Sequence, residues 1–172
     1  MKTILKFTAL SVILLMLAGG VVSCNDKEII RDDKPSIFTY HLFSNMLRLD
    51  EYLKITADST YYSFRHGIAK ISYQTSIKTS KEQWKNLTRA FNLGIFTKIP
   101  VDSYPLLFGS PTSSFSVFIN GEIYSVDDPA HDSKYYKQMQ DFFNLIHEQR
   151  ISFRNTMDSL LLLEQTKTNT KK

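Results

Sequence analysis

The sequence predicts an α+β domain: an antiparallel meander sheet of four to six strands, with one short helix and one long C-terminal helix packed on one face. Three stretches carry that expectation. From Ile71 to Lys78 the chain alternates strictly, Ile71, Tyr73, Thr75 and Ile77 against Ser72, Gln74, Ser76 and Lys78. That is the period of a strand with one buried and one wet face. Phe115, Val117 and Ile119 run into Asn120-Gly121 and out through Ile123, Tyr124 and Val126. Asn and Gly accept positive φ at low cost, so this is a hairpin closed by a two-residue type I′ turn, with Ile119 opposite Glu122, Val117 opposite Tyr124 and Phe115 opposite Val126. After Pro129 neither Gly nor Pro recurs, and Tyr136, Met139, Phe143, Ile146, Phe153, Met157 and Leu160 return at helical spacing.

The other elements follow in chain order. Phe38, Leu42, Met46, Leu49 and Leu53 fit a helical stripe, while the aromatic and β-branched content of Ile37 to Leu49 suits a strand. The expectation is a strand from about Leu47 behind a helical or irregular lead-in. Leu53, Ile55 and Ala57 then alternate with polar partners, Asp58-Ser59-Thr60 makes a turn, and Tyr61 to Phe64 returns as an aromatic strand. His66-Gly67 offers the next turn. Ser80 followed by Gln83 reads as a capping box, and Trp84, Leu87, Ala90 and Phe91 form one apolar face of a helix expected to stop at Gly94, with Trp84 its largest buried surface. Val101 to Thr112 is a loop of turn formers that nevertheless carries Tyr104, Leu106, Leu107 and Phe108. The last helix is expected from about Ser133 to about Leu163, capped by Asp132 or Ser133. At 1.5 Å per residue it reaches ~45 Å, longer than a domain of this size can cover, so its end must overhang, bend or meet a partner.

The start of the chain has a different character. Lys2 and Lys6 make a positive n-region, Phe7 to Leu17 an apolar h-region too short to span comfortably, and Ala18-Gly19-Gly20 a break before Val21-Val22-Ser23-Cys24. That tetrapeptide resembles the bacterial lipobox, with Val21 where leucine is commoner. The resemblance implies a signal peptide over 1–23 and a diacylglyceryl thioether on Cys24, the single cysteine of the chain, which becomes residue one of a 149-residue mature protein. An exported protein with one unpaired thiol is unusual, and lipidation accounts for both its number and its place. Two or three acyl chains give essentially permanent attachment. The expected address is therefore the cell envelope, at the outer membrane rather than the inner, facing the periplasm or the cell surface. Residues 24–36 read as a tether, and acidic residues behind the cysteine resemble export tags of some bacterial surface lipoproteins. Residues 37–166 read as one domain, and 167–172 as a disordered polar tail. From about Tyr52 to Gln149 the order of elements loosely resembles small bacterial lipoprotein domains of unknown function, a resemblance that carries no residue roles with it.

Composition narrows function. Residues 35 to 166 hold 13 Lys and Arg against 13 Asp and Glu, so the domain is near neutral despite a chain pI of about 9.1. The electrostatic footprint of a nucleic-acid binder is missing. With Cys24 committed to lipid there is no thiol nucleophile, and no Gly-x-Ser-x-Gly elbow, phosphate-cradling glycine loop or His-Glu-x-x-His occurs. Three readings follow. The first is a non-catalytic, membrane-tethered module that binds a protein, as a complex subunit or an inhibitor of immunity type, through Tyr104, Leu106, Leu107 and Phe108; no cofactor is expected. The second is a metal-dependent envelope hydrolase built on Asp127, Asp128, His131 and Asp132. Carboxylate and imidazole donors can ligate a divalent cation, although the spacing matches no metal motif, and the same residues read better as turn and N-cap chemistry. The third is a glycan-binding lipoprotein using aromatics among Tyr52, Tyr61, Tyr62, Phe64, Tyr73, Tyr104, Phe118 and Tyr124. His41, His66 and His147 stand apart in sequence.

Overall fold

The structure is a computed structural model that describes residues 34–102 and 110–169, with side chains to residue 163. The lipobox, Cys24 and the loop segment Tyr104 to Phe108 lie outside the described residues. Six strands form one antiparallel sheet: β1 (Ile37–Ser44), β2 (Leu49–Thr56), β3 (Ser59–His66), β4 (Ile71–Lys78), β5 (Thr112–Ile119) and β6 (Glu122–Asp127). Their spatial order is β4-β3-β2-β1-β5-β6. A four-strand meander therefore runs outward from β1 on one side, and the last hairpin is laid against β1 on the other. The chain crosses between these edges through helices α1 (Lys81–Ala90) and α2 (Leu93–Phe96), and α3 (Lys134–Gln138) and α4 (Gln140–Asn169) follow β6.

The largest departure from expectation is β1. Ile37 to Ser44 is strand throughout, not a helical or irregular lead-in, and the turn falls at residues 45–48. Its alternate residues Phe38, Tyr40 and Ser44 are buried, whereas Met46, the third member of the helical stripe, is 66% exposed. Pairing decides the matter. β1 is bonded on both sides, Phe38 opposite Ile55 on β2 and opposite Val117 on β5, so two ladders satisfy its backbone and outweigh the helical spacing. The following turn sits earlier than read, at Ala57-Asp58, where the Thr56 hydroxyl accepts from the backbone N–H of Asp58 and Ser59 at 3.3 and 3.0 Å. The Asn120-Gly121 hairpin forms as expected, with φ of 52° and 87° and the register Ile119–Glu122, Val117–Tyr124 and Phe115–Val126. β4 keeps its alternation but, as an edge strand, only half-buries Ile71, Tyr73 and Thr75.

Helix α1 begins at Ser80, whose Oγ accepts from Gln83 N at 3.0 Å, and ends at Ala90; Phe91 turns extended, and Asn92 Oδ1 caps α2, which contains Gly94. Leu87, not Trp84, is the residue α1 buries fully; Trp84 is half-buried against Phe38 at a ring distance of 5.5 Å. The long helix is broken at its first turn. Ser133 is the N-cap, accepting from Tyr136 N at 3.1 Å, and Met139 leaves helical geometry with φ −109° and ψ 17°. The 30 residues of α4 reach about 45 Å, and among its described side chains, to residue 163, the buried series is Phe142, Phe143, Ile146, Phe153 and Met157. Leu160, Leu162 and Leu163 are exposed, while Leu161 between them still packs against the core. It also continues to Asn169, into the stretch read as a disordered tail from Lys167.

Phe38, Tyr40, Leu53, Ile55, Tyr62, Phe64, Phe115, Val117, Ile119 and Val126 point to one face of the sheet and make the core with the helices. Aromatic contacts between helix and sheet go to this face: Phe38 with Phe142, Phe115 with Phe143 and Tyr62 stacked on Phe153 at 5.1 Å and 6°. Among the described residues no helix is long and apolar enough to cross a membrane.

Candidate functional site

The loop after β6 does not bring the four candidate metal ligands together. Asp128, at φ 40°, turns its carboxylate back onto the Ser113 backbone N–H, while its own N–H donates to Ser113 O at 2.6 Å and its carbonyl accepts from Asp102 N at 2.7 Å. It is a fastening between β5 and β6. Asp127 and Asp132 are exposed, and His131 packs its ring on Tyr136 at 4.4 Å. Among the described residues no three or more His, Cys, Asp or Glu side chains converge as ligands.

The structure instead brings together two groups that the sequence reading did not single out. The first is inside. Glu51 shares the inward parity of Leu53 and Ile55 and is 0% exposed. Its Oε1 accepts from the Tyr62 hydroxyl at 2.8 Å and from Arg150 Nε at 3.0 Å; its Oε2 lies 3.7 Å from Arg154 Nη1, beyond hydrogen-bond reach. Both guanidiniums also cover aromatic rings, Arg154 at 3.9 Å from the Phe64 centroid and Arg150 at 5.4 Å from Tyr40. Burial, and then the hydrogen bond to Glu51, push the Tyr62 phenol well above its ordinary range. A lone buried carboxylate would be far too costly, so this group ties the middle of α4 to the sheet.

The second lies on the opposite face of the sheet. Asp50, one residue from Glu51 and therefore pointing the other way, holds His41 Nε2 at 2.9 Å and Arg65 Nη2 at 3.1 Å. Tyr52 packs edge-on to His41 at 6.0 Å, and Tyr61 follows Tyr52 at 6.3 Å. Phe43, Asp50 and Arg65 also line a cavity of about 330 Å³ whose rim includes Arg48. Arg48 has φ 48°, and Gly67 lies so close that a Cβ there would meet Arg48 Cβ at 2.8 Å. At the other end of this face Ile37 and Phe118 pair, Phe118 faces Ile123, and Ile123 is 72% exposed. Of the aromatics offered for a platform, Tyr52, Tyr61 and Phe118 are on this outer face; Tyr62, Phe64, Tyr73 and Tyr124 point inward. Exposed ion pairs such as Arg65 with Asp50 contribute at most about 1 kcal/mol to stability.

No protein-family model matches the chain, and no curated protein resembles it significantly.

Proposed function

We propose that this protein is a bacterial envelope lipoprotein, anchored through Cys24, whose domain binds another protein without catalysis of its own. The observation that supports binding is the outer sheet face, where Phe43, Tyr52 and Tyr61 surround the His41, Asp50 and Arg65 group. Half-exposed aromatics around hydrogen-bonded charges have the make-up of a protein contact, anchors with a polar rim. The docking role anticipated for Tyr104 to Phe108 passes, in this reading, to the sheet.

The test uses the intact protein in its native envelope, with a photo-crosslinking residue at Tyr52 or, as control, at Glu148 on the exposed side of α4. The expected outcome is one adduct of defined mass from position 52, lost when Arg65→Glu is added. Absence of an adduct at 52, or the same adducts from 148, refutes the outer face as the contact. The anchor is tested separately by the mass of the N-terminal fragment, which must carry acyl chains on Cys24.

A further inference from the structure

We infer that a second site, between α1 and the point where the chain enters the domain, binds the headgroup of an anionic phospholipid. This inference rests on the lipoprotein reading for the source of its ligand. The site is a cavity of about 840 Å³. Pro35, Ala57 and the indole of Trp84 supply its apolar wall, and Lys85 and Arg89 its cations, with Asp58 the carboxylate among the described lining residues. Trp84, Lys85, Thr88 and Arg89 come to one edge of α1 by helical spacing, and the Thr88 hydroxyl is occupied with the carbonyls of Trp84 and Lys85. Lys85 and Arg89 enter no ion pair among the described residues.

Two observations select the occupant. Charge is the first: among the described residues Lys85 and Arg89, neither in an ion pair, outnumber the Asp58 carboxylate and favour an anion, and Arg89 separates this cavity from a neighbouring one that holds Asp141 and Glu148 and so has the opposite sign. Location is the second. Lys34, Pro35 and Ser36 form the lip, so the segment that leads back to Cys24 attaches at the mouth. A half-buried tryptophan beside lysine and arginine is the pairing that settles at a bilayer interface, the indole at headgroup depth and the cations on phosphate. The domain would thus seat itself on the membrane that holds it, leaving the outer sheet face for its partner.

Trp84 is the single tryptophan of the chain and lines this cavity, so its emission responds to an occupant there. The full-length protein is titrated with monomeric short-chain phosphatidylglycerol, with phosphatidylcholine of equal chain length, and with glycerol phosphate. Saturable change in Trp84 emission is expected with the first only, weakened about fivefold by Lys85→Ala. No saturable change, or an equal response to phosphatidylcholine, overturns the site. Equal potency of glycerol phosphate overturns the lipid in favour of a soluble phosphate ester. A chain without acyl groups on Cys24 that still responds to phosphatidylglycerol keeps the cavity and removes the anchor; an acylated chain that does not respond removes the cavity alone.

Discussion

Glu51 and Arg150 lie 99 positions apart in sequence and 3.0 Å apart in space, joined on the helix-covered face of the sheet. With Glu51 fully buried and Arg150 only 24% exposed at its side chain, removing the cation leaves the carboxylate with the Tyr62 hydroxyl and the more distant Arg154, at 3.7 Å, as its partners. Arg150→Met is therefore expected to lower unfolding free energy by about 3 kcal/mol, while Glu51→Leu and Tyr62→Phe combined with Arg150→Met, which leaves no buried hydroxyl without its acceptor, recovers most of the loss. Urea denaturation of the two variants checks this. A loss under about 1 kcal/mol for the single variant would show that the pair does not anchor α4.

Tyr62 makes the same group sensitive to alkali. Its folded-state pKa is raised above the ordinary value of 10.0, first by burial and then by the Glu51 hydrogen bond. The folded chain keeps the proton at a pH where the unfolded chain gives it up. Stability from this group is thus complete below about pH 10 and falls as pH rises beyond it. Tyr40, Tyr52 and Tyr136 are shifted the same way by burial. Unfolding free energy measured from pH 8 to 12 should decline above about 10, with a shallower slope for Tyr62→Phe. An identical slope in that variant refutes the assignment.

Why the last hairpin and the helical stripes were legible in sequence and this group was not has a physical answer. Asn120-Gly121 and the alternation around it are local signals, fixed by φ preference and by the pleat. Glu51 becomes significant only once β2 is known to run Glu51, Leu53, Ile55 on the inward side, and once Arg150 and Arg154 are seen to continue the face of Ile146 and Met157. A charge at an inward position on two elements was the available sign of a buried pair. β1 was lost for a related reason: Phe38, Leu42 and Met46 satisfy a helical period, and only the neighbouring strands on both sides decide for the sheet. The outer cluster joins Asp50 on β2, His41 on β1 and Arg65 on β3, so it exists only through register. At Asp127 to Asp132 nearness in sequence is not convergence in space.

Adjacent residues of β2 should differ in how much truncation costs. Leu53 is 0% exposed, and Leu53→Ala is expected to cost 2–5 kcal/mol, as for other buried leucines. Tyr52→Ala and, on β6, Ile123→Ser are expected to stay within about 1 kcal/mol, because each points to the outer face. Thermal or urea unfolding distinguishes the cases. Tyr52→Ala costing as much as Leu53→Ala would mean that the outer face is covered and could not serve as the docking surface.

Arg48 and Gly67 constrain each other beside the Asp50 cavity. Arg48 holds φ at 48°, a conformation that glycine adopts without strain, and Gly67 donates its N–H to the Arg48 carbonyl at 2.8 Å. A Cβ at position 67 would press on Arg48 Cβ, close to the backbone, where a rotamer change gives no relief. Gly67→Ala is expected to destabilise by about 1–3 kcal/mol. Arg48→Gly should stabilise by up to about 1 kcal/mol, since it releases the left-handed strain, and in the double variant it should remove most of the Gly67→Ala penalty. Purely additive effects in the double-mutant cycle would refute the contact. If Arg48→Gly is the more stable chain but crosslinks its partner less from position 52, the strained arginine is retained for binding, in the manner of strain held at functional sites.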